Sequence, residues 1–252
     1  MALWPWKSSG FLKPEEEDWQ AATWGWFLKN LGGLDDLRLS ALVTPNAEFF
    51  PATTAAGHER ALAIFTHVKQ HARLDDWACE LIEQPSAPNL HLGEGASQVF
   101  DQQDPAGTFS VEGDTAVITY DPALVGDPMK LIATFAHELG HYLLGTIEDP
   151  PPGGEEMHER ATDLITVYLG FGIFGANCAF NLRAHADAFN QGWRSARHGY
   201  LTEPMWCYAL AMFCLLRGED IERAKPFLKD HLFIDLRKAA AYLRKHPERM
   251  PS

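Results

Sequence analysis

The stretch His-Glu-Leu-Gly-His at residues 137–141 decides how the rest of the chain is interpreted. On a helix, His137 and His141 lie one turn apart on the same face, so both imidazoles can point at one metal ion. Glu138 lies beside that face and can take a proton from a water bound to the metal. Two nitrogen ligands with an adjacent carboxylate are the elements of a hydrolytic zinc site.

The residues around this stretch predict that it lies on a helix. Asp127 suits the position before a helix and Pro128 its first turn, while Gly145 stands where a helix commonly ends. Apolar residues dominate between these ends, but a polar stripe interrupts them, formed by Lys130, Thr134, His137, Glu138 and His141. Polar groups on a buried helix need partners, and a metal ion would supply them. The alternative is that two histidines share a helix face by chance.

A third protein ligand is expected, because two histidines seldom hold zinc alone. Residues 155–168 combine an apolar face with an acidic one and predict a second amphipathic helix. Glu159 and Asp163 lie one turn apart on that helix, as the two histidines do on the first. The candidates for the third ligand in this segment are Glu155, Glu156, His158 and Glu159.

Together the two segments resemble the gluzincin zinc metallopeptidases, which include the thermolysin-like and minigluzincin enzymes. The shared pattern is His-Glu-x-x-His, a short excursion and then Glu-x-x-x-Asp, and it covers about residues 115–170. The resemblance implies that a Zn²⁺ cofactor is held by His137, His141 and Glu159, since only this glutamate is followed by an aspartate four residues later. A metzincin would instead need a third histidine six residues after His141, where this chain has Ile147.

The same resemblance implies roles for the residues around the metal. Glu138 is expected to be the general base, and Asp163 to accept a hydrogen bond from His137 and so fix its tautomer. The family often stabilises the oxyanion of the reaction with a histidine or tyrosine from a helical C-terminal region. His198 and Tyr200 are the candidates for this catalytic role. The alternative is that both belong to an ordinary loop between helices.

The pattern as a whole predicts an α+β protein with one zincin-like domain over residues 1–252. An N-terminal helix is expected within 1–35, a small mixed sheet and the two site helices within 36–170, and a largely helical part over 171–252. The sheet is expected to pack on the His-Glu-x-x-His helix. Its predicted strands are 77–83, 90–92, 108–111 and 115–120, and the last two form a hairpin. The other predicted helices are 14–30, 57–71 and 203–216, and residues 219–246 are expected to form one or two helices. Because a gluzincin sheet strand pairs with the extended substrate, the resemblance implies peptide binding by the sheet before Tyr120.

Charge and composition narrow the class of partner. The 252-residue chain has a formal net charge of −13, which argues against nucleic acid or an anionic membrane as its main partner.

The four cysteines of the chain show no Cys-x-x-Cys pairing and predict reduced thiols. No basic region followed by a long apolar run opens the chain, so no signal peptide is expected and a cytoplasmic location is favoured. The apolar segment 164–180 is interrupted by glycines and predicts buried helices rather than a membrane span.

The resulting hypothesis is a hydrolase, a zinc metallopeptidase acting on a peptide or protein substrate. A metal-bound water, activated by Glu138, would attack the peptide bond. One alternative is a regulatory or sensory protein that uses the same zinc site to bind or cleave a dedicated partner. Another is a metal-free helical scaffold in which the motif is fortuitous.

Overall fold

The computed structural model describes residues 10–85, 106–112, 115–179 and 200–251. The helices are α1 (Pro14–Asn30), α2 (Gly33–Leu39), α3 (Gly57–Ala72), α4 (Pro128–Leu144), α5 (His158–Tyr168), α6 (172–179), α7 (Glu203–Arg217) and α8 (Asp230–Lys245). The strands are β1 (Cys79–Glu83), β2 (Gly107–Glu112) and β3 (Thr115–Tyr120). Short 3₁₀ helices span Pro122–Gly126, Glu155–Met157, Ile221–Phe227 and Pro247–Arg249.

The chain is therefore an α+β protein, largely helical, with a small mixed sheet. The strand order is β1-β3-β2, with β1 parallel and β2 antiparallel to β3. Ile118 at the centre of β3 is opposite Leu81 on one side and Phe109 on the other. The predicted hairpin is confirmed, and the strand predicted over 77–83 is present as β1. The strand predicted over 90–92 lies outside the described residues.

Two stretches of the helical part are each divided into two helical segments. The stretch predicted over 219–246 as one or two helices forms the 3₁₀ helix Ile221–Phe227 and then α8, since Pro226 cannot donate a backbone hydrogen bond and Leu228 is extended before α8 begins. The apolar segment 164–180 holds the end of α5 and all of α6, with Gly170 (φ +99°) between them. Among the described residues no helix is both long and apolar enough to cross a bilayer.

Helix α4 is the element on which the sheet packs. Phe135 lies at this contact, with its ring 5.6 Å from that of Tyr120 in β3 and 5.1 Å from that of Phe65 in α3. Both contacts are edge to face, the arrangement that aromatic rings prefer. Leu131 and Leu139, one turn to either side of Phe135, are also fully buried. Burial of this apolar face orients the helix. It leaves Thr134 and Glu138 of the polar stripe against strand β2, and His137 and His141 against α5.

The C-terminal helices complete the core. Helix α7 is buried from Met205 to Cys214 and packs against both α8 and α5. A Cβ on Gly175 of α6 would lie 2.3 Å from the Trp206 ring, so the glycine allows this tryptophan to pack directly against α6. Aromatic side chains of α1 and α5 join the same hydrophobic core. The site helix α5 is thus held between α4 and α7.

Candidate metal centre

Helix α4 carries the His-Glu-x-x-His side chains into a buried region. The side chain of Asp127 accepts a hydrogen bond from the backbone N–H of Lys130 and caps the helix as predicted. His137 and Glu138 are each only 5% exposed. The rings of His137 and His141 have centroids 4.7 Å apart and are almost perpendicular. Both imidazoles therefore lie on one face of α4, one turn apart.

The glycine inside the motif allows the second site helix to come close. A Cβ on Gly140 would lie 3.0 Å from Cγ2 of Ile165 and 3.3 Å from the carbonyl oxygen of Thr162. Both neighbours belong to α5, which crosses α4 at this point. This close crossing puts the side chains of Glu159 and Asp163 beside the two histidines.

Three atoms form the candidate ligand set, namely Nε2 of His137, Nε2 of His141 and Oε2 of Glu159. The two nitrogens are 3.1 Å apart, and the oxygen lies 3.5 Å from Nε2 of His137 and 3.7 Å from Nε2 of His141. A tetrahedral zinc ion with bonds of about 2.0–2.1 Å holds neighbouring ligand atoms about 3.3 Å apart. The three separations are close to that spacing. In the part of the chain that the structure describes, this is the one such group of His, Cys, Asp or Glu side chains.

The oxygen of Glu159 shows that this cluster suits a cation. Oε2 is buried and accepts no hydrogen bond from the described residues. Burial raises the pKa of Glu159, but close contact with His137 and His141 outweighs burial and holds this pKa at about 2. Without a metal, the positive partner of this oxygen is the protonated ring of His137, whose Nε2 is 3.5 Å away, and a metal ion between the three atoms would take its place. Two imidazoles and one carboxylate are a donor set that fits zinc.

His137 is held from behind by the fully buried Asp163. Nδ1 of His137 donates to Oδ1 of Asp163 at 3.1 Å, and Oδ2 accepts the backbone N–H of Leu201 at 2.8 Å. Asp163 accepts in this bond, so Nδ1 of His137 carries a proton. When the ring is neutral, as a metal ligand must be, its lone pair is on Nε2, which faces the ligand set. Burial lowers the pKa of His137, but the bond to Asp163 and the nearby Glu159 raise it well above its usual value.

His141 has a different environment, which the sequence did not indicate. Its Nδ1 lies 3.3 Å from Oγ1 of Thr162 and 3.3 Å from Nε2 of His158. Burial and the neighbouring His137 lower the pKa of His141 to about 3, so this ring is neutral at physiological pH. Thr162 was not among the predicted site residues. It directly precedes Asp163 in the sequence, and no motif marks it.

Glu138 lies where the first residue of the edge strand meets α4. A Cβ on Gly107 would lie 3.2 Å from Cγ of Glu138 and 2.6 Å from Cγ2 of Thr134, so glycine is needed for the strand to come this close. Burial raises the pKa of Glu138 to about 7, with repulsion from Glu159 adding to the rise and attraction to His137 opposing it. A carboxyl group with this pKa can both accept and release a proton near neutral pH.

Tyr200 lies at the site, on the His137 side. Its ring centroid is 5.6 Å from that of His137. Burial, together with the negative charges of Glu159 and Asp163, raises the pKa of its phenol, which therefore stays protonated and able to donate. The other predicted oxyanion donor, His198, lies outside the described residues.

The rival third ligands do not reach the ligand set. Glu155 and Glu156 are exposed on the 3₁₀ turn before α5. His158 is near the site but contacts the outer nitrogen of His141. The structure brings together the ligands that the gluzincin pattern implies, and it leaves these alternatives outside.

Comparison of the chain with protein-family models, with curated proteins and with solved structures found no match. The gluzincin resemblance therefore depends on the motif residues and on the geometry into which they fold.

Proposed function

We propose that this protein is a zinc metallopeptidase of the gluzincin type, with His137, His141 and Glu159 as the metal ligands. The supporting observation is the set of three ligand atoms 3.1–3.7 Å apart, with Oε2 of Glu159 buried and accepting no hydrogen bond from the described residues. Zinc, when bound, supplies a Lewis acid that lowers the pKa of a coordinated water and polarises the scissile carbonyl.

Glu138 acts as general base and then as general acid. Its carboxylate takes one proton from the attacking water as the water oxygen bonds to the carbonyl carbon. The same proton passes to the amide nitrogen as the carbon–nitrogen bond breaks, which gives an amine and a carboxylic acid that keeps the second proton of the water. Burial of Glu138 favours this cycle, because a pKa of about 7 lets the group exist in both protonation states.

Tyr200 stabilises the negative charge that develops on the substrate oxygen. Its phenol remains protonated, because burial and three nearby carboxylates raise its pKa. A neutral donor that hydrogen-bonds a developing oxyanion lowers the activation barrier. His198 is a second candidate donor for this charge.

The edge strand β2 is where an extended peptide would bind. Among the described strands β2 pairs only with β3, which leaves its other edge available for backbone hydrogen bonds. The strand begins at Gly107, which lies against Glu138. A peptide added along this edge would bring its backbone to the general base.

Metal content is the first test. Elemental analysis of the purified wild type is expected to show about one zinc per chain. The Glu159→Ala variant is expected to lose most of this zinc, while Glu156→Ala, an exposed glutamate from the preceding turn, keeps it. A wild type that takes up no zinc, even after incubation with the metal and repurification, would contradict the proposal.

Hydrolysis of a peptide library by the zinc-loaded protein is the second test. Glu138→Gln should retain zinc and lose at least about a hundredfold in kcat/KM, because the variant removes the base and leaves the ligands in place. A zinc-loaded wild type that cleaves none of the peptides would favour the alternative of a regulatory or sensory protein.

A further inference from the structure

The His158 ring lies beside the ligand set without belonging to it. His158 is the first residue of α5 and directly precedes the ligand Glu159. Its Nε2 is 3.3 Å from Nδ1 of His141, the ring nitrogen opposite the one that faces Glu159. The planes of the two rings differ by only 17°, and the nitrogens face each other in hydrogen-bonding geometry.

The direction of this hydrogen bond follows from Thr162. The hydroxyl of Thr162 donates to the backbone carbonyl of His158 at 2.9 Å, so its single proton is already used. Oγ1 can then only accept, and Nδ1 of His141, 3.3 Å away, must be the donor. With the proton on Nδ1, the contact with His158 has the same direction, and Nε2 of His158 accepts.

We propose that His158 is a positioning residue, which holds His141 in the Nδ1-protonated tautomer and leaves Nε2 free to bind the metal. This inference rests on the proposed metal site, and it deepens that proposal by assigning the support of the second histidine ligand. A free neutral histidine can carry its proton on either nitrogen, and only one of the two tautomers presents the Nε2 lone pair.

The two histidine ligands are thus supported by different chemistry. His137 donates to a buried carboxylate, whereas His141 donates to an imidazole nitrogen and a hydroxyl. Outer partners of this kind fix ring orientation and tautomer, and their loss typically weakens metal binding. The support of His141 adds no negative charge to a site that already holds Glu138, Glu159 and Asp163.

Substitution of His158 combined with two readouts tests the proposal. The variants are His158→Leu, which cannot accept, and His158→Gln, whose amide oxygen can accept in place of Nε2. The matched control is His231→Leu, an exposed histidine of α8. The first readout is zinc affinity, measured by competition with a chromophoric chelator. The second is the tautomer of His141, from ¹⁵N chemical shifts of its ring in the chelator-treated protein.

The expected result is a loss of about 10–100-fold in zinc affinity for His158→Leu, with one zinc per chain still bound at saturation. His158→Gln should recover most of this loss, and the control should match the wild type. In His158→Leu only Thr162 remains as an acceptor for Nδ1 of His141, so the fraction of the Nδ1-protonated tautomer should fall without being lost.

Unchanged affinity and an unchanged His141 tautomer in His158→Leu would overturn the positioning role. A complete loss of the bound zinc would also overturn it, because His158 would then be a ligand. A wild type that binds no zinc would refute the proposed function instead. In that case the tautomer measurement still decides whether His158 orients His141.

Discussion

Replacing Asp163 with asparagine tests how the site holds its first histidine. Asp163 is fully buried, and its two oxygens accept from Nδ1 of His137 at 3.1 Å and from the backbone N–H of Leu201 at 2.8 Å. Asparagine keeps the shape but has one oxygen, so one of the two donors must face an NH₂ group. If the NH₂ group faces Leu201, the backbone N–H of Leu201 is left unpaired, and a buried unpaired donor costs about 1–3 kcal/mol. In a chain of this length that corresponds to a fall in Tm of about 2–12 °C.

The amide has a second consequence for the metal. If its NH₂ group faces His137, the ring must accept at Nδ1 and carry its proton on Nε2, the atom that faces Glu159. Zinc affinity is then expected to fall about 10–100-fold. Calorimetric unfolding in chelator measures the stability, and competition with a chromophoric chelator measures the affinity.

The control for this prediction is Asp149→Asn. Asp149 is an exposed residue paired with Lys29, and its substitution should change the free energy of unfolding by no more than about 0.5 kcal/mol. The reasoning is refuted if Asp163→Asn matches this control in both Tm and zinc affinity.

Three further substitutions test other parts of the structure. Burial raises the pKa of Glu138 from 4.5 to about 7. In the metal-free protein, the stability that comes from keeping this carboxyl neutral is therefore fully present below pH 4.5 and is lost as the pH rises through 7. Glu138→Gln should therefore raise Tm in chelator at pH 8 more than at pH 5, and equal shifts would contradict this. Gly140→Val should force α5 away from α4, lowering stability by about 1–3 kcal/mol and weakening zinc binding, in the same two assays. Gly170→Ala should cost about 3 kcal/mol or more in urea unfolding, because φ is +99° and the new Cβ would lie 2.0 Å from the carbonyl oxygen of Ala41. Gly25→Ala, where nothing lies within 4 Å of the Cβ, is the tolerant control.

The local elements were predictable because their signals are short-range. Asp127 and Pro128 mark the start of α4, and the spacing of His137 and His141 places them on one helix face. The hairpin of β2 and β3 also forms between neighbouring stretches of sequence. Such features depend on residues a few positions apart, so periodicity and capping chemistry are sufficient to locate them.

The parts that were not predictable depend on contacts between distant residues. The parallel pairing of β1 with β3 joins Leu81 to Ile118, and no turn sequence connects the two strands directly. The bond from Leu201 to Asp163 likewise spans 38 positions. The contact between His158 and His141 depends on how α5 crosses α4, since residue spacing on two separate helices does not set their relative rotation. The choice of Glu159 among the rival third ligands was different, because the Glu-x-x-x-Asp pattern already favoured it, and the packing of the two helices groups it with the histidines.

The distribution of partners around the site indicates which atom depends most on the metal. Both histidines have hydrogen-bond partners on their outer nitrogens, and these partners belong to the packed helix α5. Oε2 of Glu159 is buried but accepts no hydrogen bond from the residues that the structure describes. Chelation should therefore leave the histidine rings in place and release mainly the Glu159 side chain, while the hydrophobic core keeps the fold. Metal binding would then stabilise the protein by mass action, in proportion to the logarithm of the zinc concentration, without being required for folding.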